Sequence, residues 1–219
     1  MSTTSLRARL SLVACYAVAM AAVESAVVVY LRALQSGQAP ASVLQYALPD
    51  RLVLIEIGRE LATLVMILAV AALAARTLRE AFLYFALMFG VWDVFYYIWL
   101  WVFIGWPPSL LTWDILFLIP VPWLGPVIAP MIVSVLLVIG SVWLLARPSL
   151  ELPRRAWGLA ILGAALILLS FTIDYRYALA RIDPPRFRWE IFLSGIVIGV
   201  VGAVWDRALK DRLPKSVSP

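Results

Sequence analysis

Apolar runs long enough to cross a bilayer recur along almost the whole chain, and this feature limits its possible folds more than any other. Crossing about 30 Å of hydrocarbon takes roughly 20 residues of helix, and lipid leaves no backbone N–H or C=O unpaired except at high cost. Runs of that kind cover residues 10–34, 52–75, 81–104, 127–146, 156–173 and 189–205. Hydrophobic residues make up 64% of the 219 positions and charged residues 14%, against roughly 45–50% and about 25% in soluble domains. A soluble core of this size cannot hide that much apolar surface. The expectation is therefore an all-α integral membrane protein, a single polytopic domain of about six transmembrane helices.

The connection between the third and fourth runs breaks the pattern. Residues 106–126 carry Pro107, Pro108, Pro120, Pro122 and Pro126, with Pro130 just beyond. Proline interrupts helices and forces its predecessor out of the α region. The stretch between Pro108 and Pro120 is too short to span and too apolar for a solvated loop. It reads as a re-entrant or interfacial half-helix, with Ser109 at its N-cap.

Arginine and lysine in the loops set the orientation. With the N-terminus inside, Arg7, Arg9, Arg76, Arg79, Arg147, Arg154, Arg155, Arg207, Lys210, Arg212 and Lys215 fall on the cytoplasmic side. Arg32, Arg51, Arg176, Arg181, Arg186 and Arg188 fall outside. The bias favours a cell (inner) membrane protein with both termini cytoplasmic. The net charge of +5 is accounted for by this topology, so no nucleic-acid partner is expected. Arg7 and Arg9 followed by Ala17-Val18-Ala19 resemble a signal peptide, but the apolar run continues to Leu34, too far for a cleaved leader.

The chemistry available is narrow. The chain has no His and one Cys, Cys15. His-ligated haem, imidazole zinc sites, Ser-His-Asp catalysis, Cys-cluster metals and an internal disulfide are all excluded. What remains is acid. A charged side chain at the centre of a membrane helix costs about 2.5–3.5 kcal/mol on insertion scales, so it faces the bundle interior or a wet cavity and marks a functional site by default. At about 1.5 Å of rise per residue, Glu24 lies about 15 Å, Glu60 about 12 Å and Asp93 about 16 Å from the outer ends of their helices. Three segments thus put an acid at nearly one level.

Glu56 sits one turn from Glu60 on the same face, and Thr63 follows Glu60 by three. Tyr96 and Tyr97 share the face of Asp93, and Asp114 on the proline-bounded segment is placed to fold down onto the group. Five acids, Glu24, Glu56, Glu60, Asp93 and Asp114, then face one intramembrane cation, Arg59. Such an excess needs protons, a bound cation or water. Oxygen-only ligands suit a hard cation, with Glu24, Glu60 and Asp93 as its candidate ligands. Arg59, Thr63, Tyr96 and Tyr97 are the candidate supporting groups.

The expected function is binding or transport of a cation or protons. A metal- or carboxylate-dependent enzyme acting on a lipid-like substrate is the alternative, and a non-catalytic subunit of a larger membrane complex the second. A structural network, with Arg59 paired to Glu56 or Glu60, is the bland competitor. The remaining features read as structure. Six of the ten Trp, between Trp92 and Trp123, suit an outer aromatic belt. Gly195 and Gly199 form a GxxxG pair for a close helix contact, inside the bundle or with a partner subunit or second copy. Helices four to six carry only Ser134, Ser141, Ser170 and Ser194 in their interiors and read as scaffold. Residues 174–190 read as a solvated outer loop, with capping of the site from above as the alternative.

Overall fold

The computed structural model describes residues 5–35, 50–150 and 152–210. It is mostly helical, with α1 (Leu6–Gln35), α2 (Asp50–Ala74), α3 (Leu78–Ile104), β1 (Trp113–Phe117), β2 (Trp123–Pro126), α4 (Ile128–Leu145), α5 (Arg154–Thr172), α6 (Tyr175–Ala180) and α7 (Trp189–Lys210). Five stretches are long and apolar enough to cross a membrane: Leu6–Ala33, Arg51–Ala74, Leu78–Ile104, Ile128–Leu145 and Arg154–Ala180. The apolar part of α7, Trp189–Gly202, is shorter. Arg212 and Lys215, counted above among the cytoplasmic charges, lie outside the described residues.

The expectation of a purely helical chain is corrected at one place. Residues 113–126 form an antiparallel hairpin rather than a half-helix. Trp113 pairs with Pro126, Asp114 with Gly125 and Ile115 with Leu124, and the register shifts between Ile115 and Phe117. Two further backbone bonds, Val127 N–H to Thr112 C=O and Ile128 N–H to Leu110 C=O, continue the pairing into the start of α4. The stretch between Pro108 and Pro120 is short for an isolated helix, and within it β1 carries Trp113, Ile115 and Phe117, of the aromatic and β-branched types that favour strands. Ser109 caps no helix. It closes a turn with Thr112, its hydroxyl accepting from Leu111 N–H and its carbonyl from Thr112 N–H.

The chain divides into two compact units. The first comprises Met1–Pro148 with Tyr175–Asp183, and the second Ser149–Asp174 with Pro184–Pro219. In the first unit α3 is the central helix, touching α1, α2 and α4. Its start is set by an N-cap: the Thr77 hydroxyl accepts from Glu80 N–H, and the Glu80 carboxylate reaches back to accept from Arg76 N–H. Its end is set by Gly105, left-handed at φ 66, whose N–H returns to Trp101 C=O. Val13, Ala17 and Ala21 of α1, Ile67 and Ala71 of α2, and Tyr84, Met88 and Trp92 of α3 form the buried core. Phe117 from the hairpin joins that core, with Ile119 and Trp123 packed against it. Outward faces are apolar instead of charged, with Leu73 87% exposed and Leu54, Leu61 and Leu68 on the same helix also exposed. That inversion is what lipid as solvent requires.

In the second unit α5 and α7 cross closely. A Cβ on Gly163 would meet the Gly195 carbonyl oxygen at 2.6 Å and the Gly199 nitrogen at 2.8 Å. Gly195 of the GxxxG pair is thus packed against α5, where its own Cβ would meet the Gly163 carbonyl oxygen at 2.7 Å, whereas a Cβ on Gly199 would meet nothing within 4 Å. Residues 174–190 are more ordered than a solvated loop. Arg188 pairs with Asp174, Arg186 pairs with Glu190, and Phe171, Phe187, Trp189 and Phe192 stack together. In the first unit, α6 lies against β2.

These contacts predict that Gly163→Val destabilises the protein by about 1–3 kcal/mol or more through overpacking. Gly58→Ala, where an added Cβ meets nothing within 4 Å, is expected to be neutral or stabilising by up to about 1 kcal/mol from helix propensity. Thermal unfolding in detergent, followed by size-exclusion recovery, measures both.

Candidate functional site

The polar groups of the first unit are arranged as short, separately partnered sets around α3 and the hairpin. One set joins α1 to α2. Glu24 is 7% exposed, yet its carboxylate accepts from the Thr63 hydroxyl at 2.5 Å and forms an ion pair with Arg59. Arg59 also reaches back one turn, its Nε donating to Glu56 Oε2 at 3.0 Å. A guanidinium presents five donors in a planar fork, so one Arg can serve two carboxylates. Glu60 does not share Arg59's hydrogen bonds. Both its oxygens accept from the backbone N–H of Leu118, at 3.1 and 2.9 Å, just past β1.

A second set joins α3 to the hairpin and to α4. Asp114 is 3% exposed. Its Oδ2 accepts from the Tyr97 hydroxyl at 3.1 Å and its Oδ1 from the N–H of Ile115 at 3.0 Å. Asp93 accepts from the Ser134 hydroxyl at 2.8 Å, where α3 and α4 approach so closely that a Cβ on Gly90 would meet the Ser134 carbonyl at 2.6 Å. Arg32, on the last turn of α1, stacks its guanidinium over Trp106 at 4.1 Å, and Trp106 lies 6.2 Å from Tyr97. Tyr96 bridges the sets electrostatically, within reach of Asp114, Arg32, Arg59 and Glu56. Burial pushes Asp114 up to about 7; the Arg32 charge, the Tyr97 hydroxyl and the Ile115 N–H oppose that rise, while Asp93 adds to it.

All the acids singled out from sequence lie in this unit, but the three offered as common cation ligands do not form a ligand set. Among the described residues no group of three or more His, Cys, Asp or Glu is placed to hold a metal ion. The reason is that each acid has a nearer partner: Arg59 and Thr63 for Glu24, a backbone amide for Glu60, Ser134 for Asp93. Thr63, expected to support Glu60, donates to Glu24 across the helix pair. Four participants went unread. Arg32 was assigned to the outer loop charge, Trp106 to the aromatic belt, Ser134 to scaffold, and the Leu118 amide carries no side-chain signal at all. Arg32 was the most findable, because it too lies within an apolar run. Comparison with protein-family models, with curated proteins and with solved structures returns no match.

Two outcomes follow. Arg59→Met strands the buried carboxylates of Glu24 and Glu56 and is expected to cost about 3–5 kcal/mol, as breaking a buried pair does. Glu24→Gln added to Arg59→Met should recover part of that loss, which a double-mutant cycle of melting temperatures reads directly. For Asp114 the sign is the reverse of an ordinary ion pair. Its folded-state value of about 7 exceeds the ordinary carboxylate value, 3.8, so between those limits the folded state holds a proton the unfolded state has lost. Stability therefore falls as pH rises from about 4 and levels off above about 7. Asp114→Asn, permanently neutral, is expected to flatten this dependence in melts taken from pH 4 to 8 and to be the more stable protein, relative to wild type, at the alkaline end.

Proposed function

We propose that this is a six-span inner-membrane protein whose first unit binds protons and relays or exchanges them across the bilayer. One observation carries the reading. Glu24, Glu56, Glu60, Asp93 and Asp114 stand against only two guanidiniums, Arg32 and Arg59, in a network that hydrogen bonds hold in place. Five negative charges against two positive cannot persist in low dielectric, and among the described residues no acid trio is placed to recruit a metal in compensation. Protons are the remaining small counter-ion, and shared titration follows when acids interact.

The topology supports this reading. α7 is 22 residues long but its apolar part, Trp189–Gly202, is shorter than the other five stretches, so a sixth crossing there relies on local thinning of the bilayer and snorkelling of its flanking charged residues. An even number of spans returns the C-terminus to the cytoplasmic side chosen by the arginine bias. In this frame the hairpin is re-entrant, dipping from the outer side until its tip meets Glu60 and the α3 core. Backbone at that depth is tolerated only where its polar groups are satisfied by protein or by cavity water. The turn around the tip uses Pro120 and Pro122, which have no N–H to satisfy, and the Leu118 N–H is taken by Glu60. Glu60 therefore seats the hairpin, and the acids near the hairpin's strands and outer helix ends are the exchangeable ones.

Reconstituted vesicles test this. An inward acid step is expected to acidify the lumen faster in vesicles carrying the protein than in empty ones, and Asp114→Asn should slow that rate at least tenfold. In a Cys15→Ser background, Ser109→Cys is expected to react with a membrane-impermeant maleimide only from outside whole cells. Labelling from the cytoplasmic face alone would overturn the topology.

A further inference from the structure

We infer that the outer part of this site, built from Trp106, Tyr97, Tyr96 and Asp114, recognises a small organic cation of the guanidinium class, and that Arg32 is a tethered stand-in which the cation displaces. This rests on the proton-binding reading and names what the proton is exchanged for.

Arg32 already places a guanidinium at the edge of this site: its central carbon lies 4.1 Å from the Trp106 ring centroid, inside the range of about 6 Å at which a cation is attracted to an aromatic face. Tyr97 continues the aromatic wall at 6.2 Å from Trp106, and Tyr96 packs edge-on against Tyr97 at 5.1 Å. Behind the rings stands Asp114, with Arg32 as its leading positive neighbour. An aromatic wall backed by a buried acid is the arrangement that selects an organic cation over a hydrated inorganic one, because the rings reward a weakly hydrated, polarisable charge.

Nothing in this arrangement requires the guanidinium to belong to the chain. Arg32 stands on the last turn of α1, where helix ends open at low cost, so its side chain can leave without dismantling the core. The charged and titratable groups facing Asp114 are Arg32 from α1 and Asp93, Tyr96 and Tyr97 from α3. Only the ionised carboxylate attracts a cation. Arg32 forms no ion pair with Asp114, so exchanging one guanidinium for another over Trp106 moves no proton by itself. The untethered cation goes on to pair with the carboxylate and so releases the Asp114 proton, one proton out for each cation in, while the displaced Arg32 keeps its charge in solvent.

The test uses the full chain in detergent, weakly buffered near pH 7, titrated with guanidinium chloride in the millimolar range and with sodium chloride as the ionic-strength control. Guanidinium is expected to release up to one proton per protein, saturably, and sodium none. Asp114→Asn should abolish the release and Trp106→Leu should weaken apparent affinity about tenfold. Arg32→Ala should strengthen it about tenfold by removing the internal competitor; Arg32→Gln, planar but neutral, serves if the alanine variant does not fold. Equal responses to guanidinium and sodium, or no gain in affinity from either Arg32 variant, would overturn the inference. A plain acid–base titration keeps the two readings apart. A group near pH 7 present in wild type and missing from Asp114→Asn sustains the proton-binding reading whatever guanidinium does, and its absence sinks that reading first.

Discussion

Hydrocarbon supplies no hydrogen bonds, so any polar group carried into the bundle must find its partner within the protein. That requirement explains why the acids of the first unit are dispersed into sets instead of gathered at a point. Arg59 answers Glu24 and Glu56 and thereby ties α1 to α2. Ser134 answers Asp93 and ties α3 to α4. The Leu118 amide answers Glu60, and Tyr97 answers Asp114, so the hairpin is held to α2 and α3 by one acid from each side of the contact. Each acid costs something to bury and each is used to fix a particular pair of elements. What this pairing does not compensate is the excess of acids over guanidiniums.

The helices were legible because length and hydropathy decide them almost alone. Runs predicted at 10–34, 52–75 and 81–104 correspond to α1, α2 and α3, with ends that moved by a few residues. The end of α3 did not move: the helix stops at Ile104, where the apolar run also ends, because Gly105 takes up the left-handed conformation that completes the cap. The hairpin was not legible as a hairpin. Prolines announce a break, but a short apolar segment between prolines looks alike as half-helix or strand until its length is weighed. The cue was in composition: Trp113, Ile115 and Phe117 are of the aromatic and β-branched types that favour strands.

The candidate site shows the same division. Glu24, Glu56, Glu60, Asp93 and Asp114 stand out in sequence because each is an acid in an apolar context. Their grouping does not follow from depth alone. Equal depth puts Glu24, Glu60 and Asp93 in one layer, whereas rotation about each helix axis decides which partner each one meets. Glu24 meets Arg59 and Thr63 on α2, and Asp93 meets Ser134 on α4. Arg32 was hidden for another reason. A basic residue near the end of a span ordinarily marks the interface, and only the three-dimensional placement of Trp106 shows that the Arg32 guanidinium is set against an aromatic ring.

The central claim is that the surplus of buried acid in the first unit is compensated by protons. Infrared spectroscopy of the protein in lipid measures this most directly, because a protonated carboxyl group in an apolar setting has its own C=O stretching band, distinct from that of a carboxylate. The account predicts such a band at neutral pH, shifting in heavy water, declining as pH is raised and reduced in Asp114→Asn. Carboxylate absorption alone at neutral pH, with no carboxyl band to titrate, would contradict it.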